Sequence, residues 1–169
     1  MGLRDWLCYE LGTDFPVPGK VYDYDSRFQK WVNGITHQKY LAYRSTWSTY
    51  TTCMDFLMGV HNRIQTITGL SGQAYFQPGL MNSIYPPAWH TFNAATGDIP
   101  QSGDFYLCLI PGGYHVGVFL EVSQNNLRII CGGADDAQTG EMRGAISMKY
   151  GWPDNLVGWL NIAEFYQSE

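Results

Sequence analysis

The stretch Thr51-Thr52-Cys53-Met54-Asp55-Phe56-Leu57-Met58-Gly59-Val60-His61-Asn62-Arg63-Ile64-Gln65-Thr66-Ile67-Thr68-Gly69 opens the ordered pattern of this chain. Phe56, Leu57, Val60, Ile64 and Ile67 recur at steps of three and four, the spacing that lines one face of a helix. Thr51 or Thr52 suits the N-cap, and Asp55 falls in the first turn, where the helix dipole favours a negative charge. Gly69 is the stop signal. Cys53 therefore sits at or just inside the positive end of an amphipathic helix.

Downstream of Gly69 the chain changes character. Residues 70–103 are rich in Gly, Pro, Asn and Ser and read as loops, with a short helix near Trp89 to Ala95 and turns at Gly97-Asp98 and Gly103-Asp104. Phe105 to Ile110 is an unbroken apolar run, the mark of a buried strand. Pro111-Gly112-Gly113 turns the chain into a second strand, Tyr114 to Val122. Ser123-Gln124-Asn125-Asn126 is a hairpin loop, and Leu127 to Cys131 is the third strand. Ala145 to Tyr150 and Val157 to Ile162 complete about five. Helices first and an antiparallel meander afterwards is an α+β layout.

Upstream, residues 1–25 hold many turn formers and read as a short helix or turn followed by an irregular arm. Ser26 to Asn33 has helical character, with Phe28, Trp31 and Val32 on one side and Gly34 as the stop. Residues 36–50 are polar and aromatic with little periodicity. No internal repeat or low-complexity segment is present, and 169 residues fit one domain.

Composition narrows the class of function. The apolar fraction of 45% is that of a globular protein, and only 15% of residues are charged, which argues against disorder. The net charge of −5, with no Lys/Arg run, argues against a nucleic-acid backbone or an anionic membrane surface as partner. No run of about 18 apolar residues exists to span a membrane. The first ten residues lack the basic start and apolar stretch of a signal peptide. The four cysteines, at 8, 53, 108 and 131, show no CxxC spacing, and the four histidines show no i, i+4 pair. A metal centre is therefore not expected. Twelve Tyr and six Trp suit a wet binding groove as well as a core.

A thiol acts as a nucleophile when ionised, and a helix N-terminus and a nearby imidazolium both lower its pKa. Cys53 has the first by position. His115, at the start of a strand just after a Gly-rich turn, is the best source of the second. His37 and His61 lack such a setting, and His90 falls in a loop. A helix-start Cys alone is more often a small buried hydrophobe, and a strand His a satisfied polar residue. The two together, in this order, make the signal.

Two blocks then carry a family resemblance. Thr52-Cys53-Met54-Asp55-Phe56-Leu57 resembles the nucleophile helix of the NlpC-type and CHAP-type papain-like cell-wall hydrolases, which begins with Cys and has an aromatic three residues on. Gly103-Asp104-Phe105-Tyr106-Leu107, followed by Gly113-Tyr114-His115-Val116-Gly117-Val118-Phe119, resembles their second block, a Gly-Asp strand opening and then His-Val-Gly on the next strand. The resemblance spans residues 48–136, which would be the catalytic core of a single catalytic domain over 1–169. Residues 1–45 would be a family-divergent N-terminal arm.

The resemblance implies a papain-like fold with the Cys helix packed on the sheet. It implies cleavage of amide bonds in peptidoglycan stem peptides or cross-links through an acyl-enzyme, with Cys53 as nucleophile, His115 as base, and neither cofactor nor metal. A type VI secretion amidase effector with an immunity protein as partner, or a phage lysin, would fit a protein made without a leader that acts in the periplasm or cell wall. Tyr43 and Tyr50, just upstream of Cys53, are candidates for the family's oxyanion tyrosine. A polar residue on the strand after His115 would orient it. If Glu121 pairs across the hairpin with Arg128, His115 falls opposite Ala134, and the flanking candidates are Asp135 and Asp136, of which Asp135 is favoured. Aromatic walls for an extended substrate would come from Trp47, Tyr75 and Trp89. Two competing readings keep the fold: a cysteine protease or deamidase-like effector acting on a protein, and a non-catalytic peptide- or glycan-binding module.

Overall fold

The computed structural model describes residues 2–15, 21–22, 24–25, 30–31, 53–123, 126–135 and 142–168. Its architecture is α+β, with an N-terminal helix and a Cys53-started helix packed on an antiparallel sheet.

Helix α1, Leu3–Asp14, is longer than its turn-rich sequence suggests. Leu7, Leu11 and Phe15 follow at steps of four and all are buried, which offsets the weak local propensity of Gly12. Helix α2, Cys53–Arg63, buries Phe56, Leu57 and Val60 as the periodicity predicts. It continues as a wider π-helical turn over Ile64–Thr68 and stops at Gly69, whose φ of 75° is one that glycine adopts without strain. Each of these buried side chains contributes about 1.5–3 kcal/mol. The helices join through Phe15 against Phe56, with centroids 6.4 Å apart, and an Arg63–Glu10 ion pair of 3.0 Å.

The strands are β1 (Val21–Tyr22), β2 (Tyr24–Asp25), β3 (Lys30–Trp31), β4 (Ser71–Gly72), β5 (Trp89–Thr91), β6 (Phe105–Ile110), β7 (Gly113–Val122), β8 (Leu127–Asp135), β9 (Met142–Tyr150), β10 (Leu156–Leu160) and β11 (Tyr166–Gln167), with the one-turn helix α3 (Ile162–Phe165) between the last two. The main sheet runs β1-β9-β8-β7-β6-β10-β5. It has seven strands rather than about five. The two additions are short edge strands, β1 on β9 and β5 on β10. Two local expectations are corrected. Trp89–Thr91 is a strand and not the start of a helix, because β10 pairs with it at Trp159↔His90. Lys30–Trp31 pairs with Tyr24–Asp25 instead of continuing a helix from Ser26.

The sheet alternates its side chains between two cores, as the two-residue repeat of a strand requires. Val116, Val118 and Leu120 of β7 join Leu107, Ile130, Phe56, Leu57 and Val60 on the helix-covered face. Phe119, Tyr106, Cys108, Ile129 and Trp159 form a smaller cluster on the other face. Trp152 stands edge-on to Phe119 there at 5.8 Å, and His90 stacks on Trp159 at 5.6 Å. No helix among the described residues is long and apolar enough to cross a membrane.

Candidate active site

Cys53 is the first residue of α2, so the N–H groups of Cys53 and Met54 have no partner within the helix. Both approach the Cys53 sulfur, together with the N–H of Val116 on β7. The strand geometry explains how a β7 amide is free to do this. Phe119 N–H bonds to Asp104 O on the β6 side at 2.8 Å, so the alternating residues 118 and 116 turn their N–H groups toward β8. The regular β7–β8 pairing ends at Val118↔Ile130. The Cys53 sulfur takes up the next position along that seam.

Burial nevertheless pushes the Cys53 thiol up from its ordinary range, with the nearby Asp55 carboxylate acting in the same direction and the three N–H groups acting against them. The depressed pKa expected from the helix start is corrected accordingly, because desolvation outweighs the dipole. His115 stands on β7 directly before Val116, as Cα partner of Cys108. The thiol thus meets β7 one residue from His115. The His115 side chain leaves the strand on the face of Tyr106, its ring centroid 6.0 Å from that of Tyr106. Burial, and then the Lys149 cation, push its pKa down, so the ring is neutral near pH 7.

The third residue is less well placed. Glu121 does pair with Arg128, with a 2.6 Å ion pair, as opposite charges on facing strands prefer. One residue earlier the register shifts: Phe119 faces Ile129 and Val118 faces Ile130, with Leu120 as the extra residue. Continued regularly, that register sets His115 against Gly133 rather than Ala134. Asp135 ends β8, as partner of Met142 on β9 after a further irregularity at Ala134. Asp136, Tyr43, Tyr50 and Trp47 lie outside the described residues. Of the expected groove walls, Tyr75 is 86% exposed, but Trp89 is buried in the core, its indole N–H donating to Thr91 Oγ1 at 3.2 Å. Trp89 is removed from the groove because β5 turns its ring inward.

Several polar residues have roles that the sequence concealed. Asp104 of the Gly-Asp pair is buried and structural. Its Oδ1 accepts from Arg4 Nη1 at 2.6 Å and from Ile162 N–H at 3.1 Å, and its Oδ2 from Gln101 N–H at 2.8 Å. Arg4 also donates to Ser102 O and Asn161 Oδ1. No sequence signal ties Arg4 to a carboxylate a hundred positions away. His61 is buried against Phe76 and shares a 2.7 Å hydrogen bond between its Nδ1 and Tyr166 Oη. Burial lowers its pKa to about 4. Cys8, pushed up to about 11 by burial, lines an open cleft of about 620 Å³ with Arg4, Leu120, Glu121 and Arg128, at the other end of β7 from His115. Among the described residues no group of three or more His, Cys, Asp or Glu side chains gathers in a way that could hold a metal ion.

The fold and this site define a class, an α+β protein with a helix-start cysteine against a histidine-bearing strand. Beyond that class, comparison with protein-family models, curated proteins and solved structures finds no match to the chain.

Proposed function

We propose that this protein is a papain-like cysteine hydrolase that cleaves amide bonds in peptidoglycan stem peptides or cross-links. One observation carries the reading: the Cys53 sulfur lies at the start of α2, among the N–H groups of Cys53, Met54 and Val116, one residue along β7 from His115. Such a cluster of amides stabilises negative charge on sulfur and on an adjacent oxyanion. The resting pair is a neutral thiol and a neutral imidazole. Substrate binding displaces water, His115 takes the Cys53 proton, and the thiolate attacks the amide carbonyl. His115 then protonates the leaving amine and activates water to release the acyl group, with Asp135 as the orienting residue. The resemblance of residues 48–136 to NlpC-type and CHAP-type enzymes supports the substrate class, and an immunity partner would follow if the protein is an effector.

The raised Cys53 pKa favours a second reading, a non-catalytic module that kept the fold. A test on purified sacculi separates them. Wild type should release or alter muropeptides separable after muramidase treatment, and Cys53→Ala should abolish the change. An unchanged muropeptide profile with cleavage of a protein substrate would keep the hydrolase and remove the cell wall. No turnover of either would leave the binding module.

A further inference from the structure

We propose that the Tyr106 hydroxyl is a side-chain hydrogen-bond donor to the Cys53 sulfur when that sulfur carries negative charge. The proposal rests on Cys53 as the nucleophile, but its test reads the thiol itself and not turnover.

Tyr106 is fully buried on β6, and its side chain leaves the sheet on the face away from α2. It does not stay over its own strand. A Cβ added at Gly117 on β7 would meet Tyr106 Oη and Cζ, and would lie 2.6 Å from Ile130 O on β8. The phenol therefore crosses β7 at Gly117 and ends above the β7–β8 seam. Gly117 is the neighbour of Val116, whose N–H reaches the Cys53 sulfur from the same seam. The thiol arrives there from the helix face and the hydroxyl from the opposite face. They converge on two consecutive residues at the point where the ladder ends.

The chemistry of the hydroxyl fits a charge that appears only during reaction. Oη is buried without a well-formed hydrogen bond among the described residues, and the side chain within its reach is the Cys131 thiol, a weak acceptor. A buried donor met only by a thiol costs stability, and a core position could hold Phe instead. Desolvation keeps the phenol protonated, and negative charge on Cys131, Cys108 or Cys53 would do so further, so the group is a permanent donor. A thiolate at Cys53 is the strong acceptor it lacks at rest. Gly117 is what admits the phenol to the seam.

The experiment follows iodoacetamide alkylation of each cysteine at pH 8 by mass spectrometry, in wild type and Tyr106→Phe. Losing one donor to a charged sulfur should slow Cys53 alkylation about tenfold and move its pH profile upward, while Cys8 reacts as before. The variant should melt near or above the wild-type temperature, since it sheds a polar group met only by a weak acceptor. Site-specific 3-fluorotyrosine at position 106 keeps the shape and strengthens the donor, and should speed Cys53 alkylation. This arm decides alone if Tyr106→Phe does not fold. A Cys53 profile unmoved by the substitutions would overturn the proposal. Failure on sacculi with these shifts present would overturn the hydrolase reading and leave the donor in place.

Discussion

Cys53 is governed by opposing effects, of which burial is the largest. The helix start and the Val116 amide favour its thiolate, while burial and Asp55 disfavour it, and burial dominates. Untreated protein should therefore show a Cys53 alkylation midpoint above the free-thiol value of about 8.5. Addition of a bound peptide analogue that fixes His115 beside the sulfur should bring the midpoint down. A midpoint well below 8.5 in free protein would mean a preformed thiolate–imidazolium pair and would overturn the neutral resting state. The His115 pKa is held below the ordinary value of about 6.5, so its ring is neutral across the neutral range, the state the proposed mechanism requires of its base. The placement of Cys53 at a helix start and of His115 near a strand start was legible in the sequence. Their protonation states were not, because desolvation depends on what packs over them.

At the scale of elements, one carboxylate adds a polar tie to the apolar packing of α1. Asp104 gathers Arg4 of α1, Gln101 of the preceding loop and Ile162 at the start of α3. Burial raises its pKa and the Arg4 guanidinium opposes this. Asp104→Ala strands the Arg4 charge and two amides at once, and should cost about 3–5 kcal/mol, read as a lower urea midpoint. Arg4→Met should cost less, because Asp104 can then take up a proton. Equal and small losses in both variants would show that the hub does not hold α1. Patterning made β6 and β7 readable almost to the residue and the face of α2 readable through Ile64, whereas Ile67, in the π-helical turn, is exposed. It failed at β5, three residues long and polar in part, which exists only because β10 lies beside it.

At the scale of the whole molecule, the C-terminus closes over the end of α2. β11 pairs with β4 at Tyr166↔Gly72, and Tyr166 hydrogen-bonds His61 beneath that pair. His61 has a folded pKa of about 4 against about 6.5 unfolded, so the unfolded chain takes up its proton first as pH falls. Its contribution is intact above pH 6.5, is lost progressively down to pH 4, and levels off below. The full loss is about 3 kcal/mol. His61→Gln should flatten the dependence of unfolding free energy on pH between 6.5 and 4. An unchanged slope in that variant would assign the acid sensitivity to other groups.

By itself the sequence determined the α+β class, a helix opening at or just before Cys53, the Gly69 stop and the strand runs of β6 and β7, and it made the Glu121–Arg128 pairing the natural assumption. Each follows from local spacing, from glycine's freedom at positive φ, or from charges that a hairpin brings face to face. Only the tertiary structure decided the bulge at Leu120 that shifts the β7–β8 register by one residue, the insertion of β10 between β6 and β5, and the crossing of Tyr106 over Gly117. It also decided the direction of the Cys53 shift. These depend on contacts between residues far apart in the chain and on the water they exclude, and neither is encoded in any local pattern.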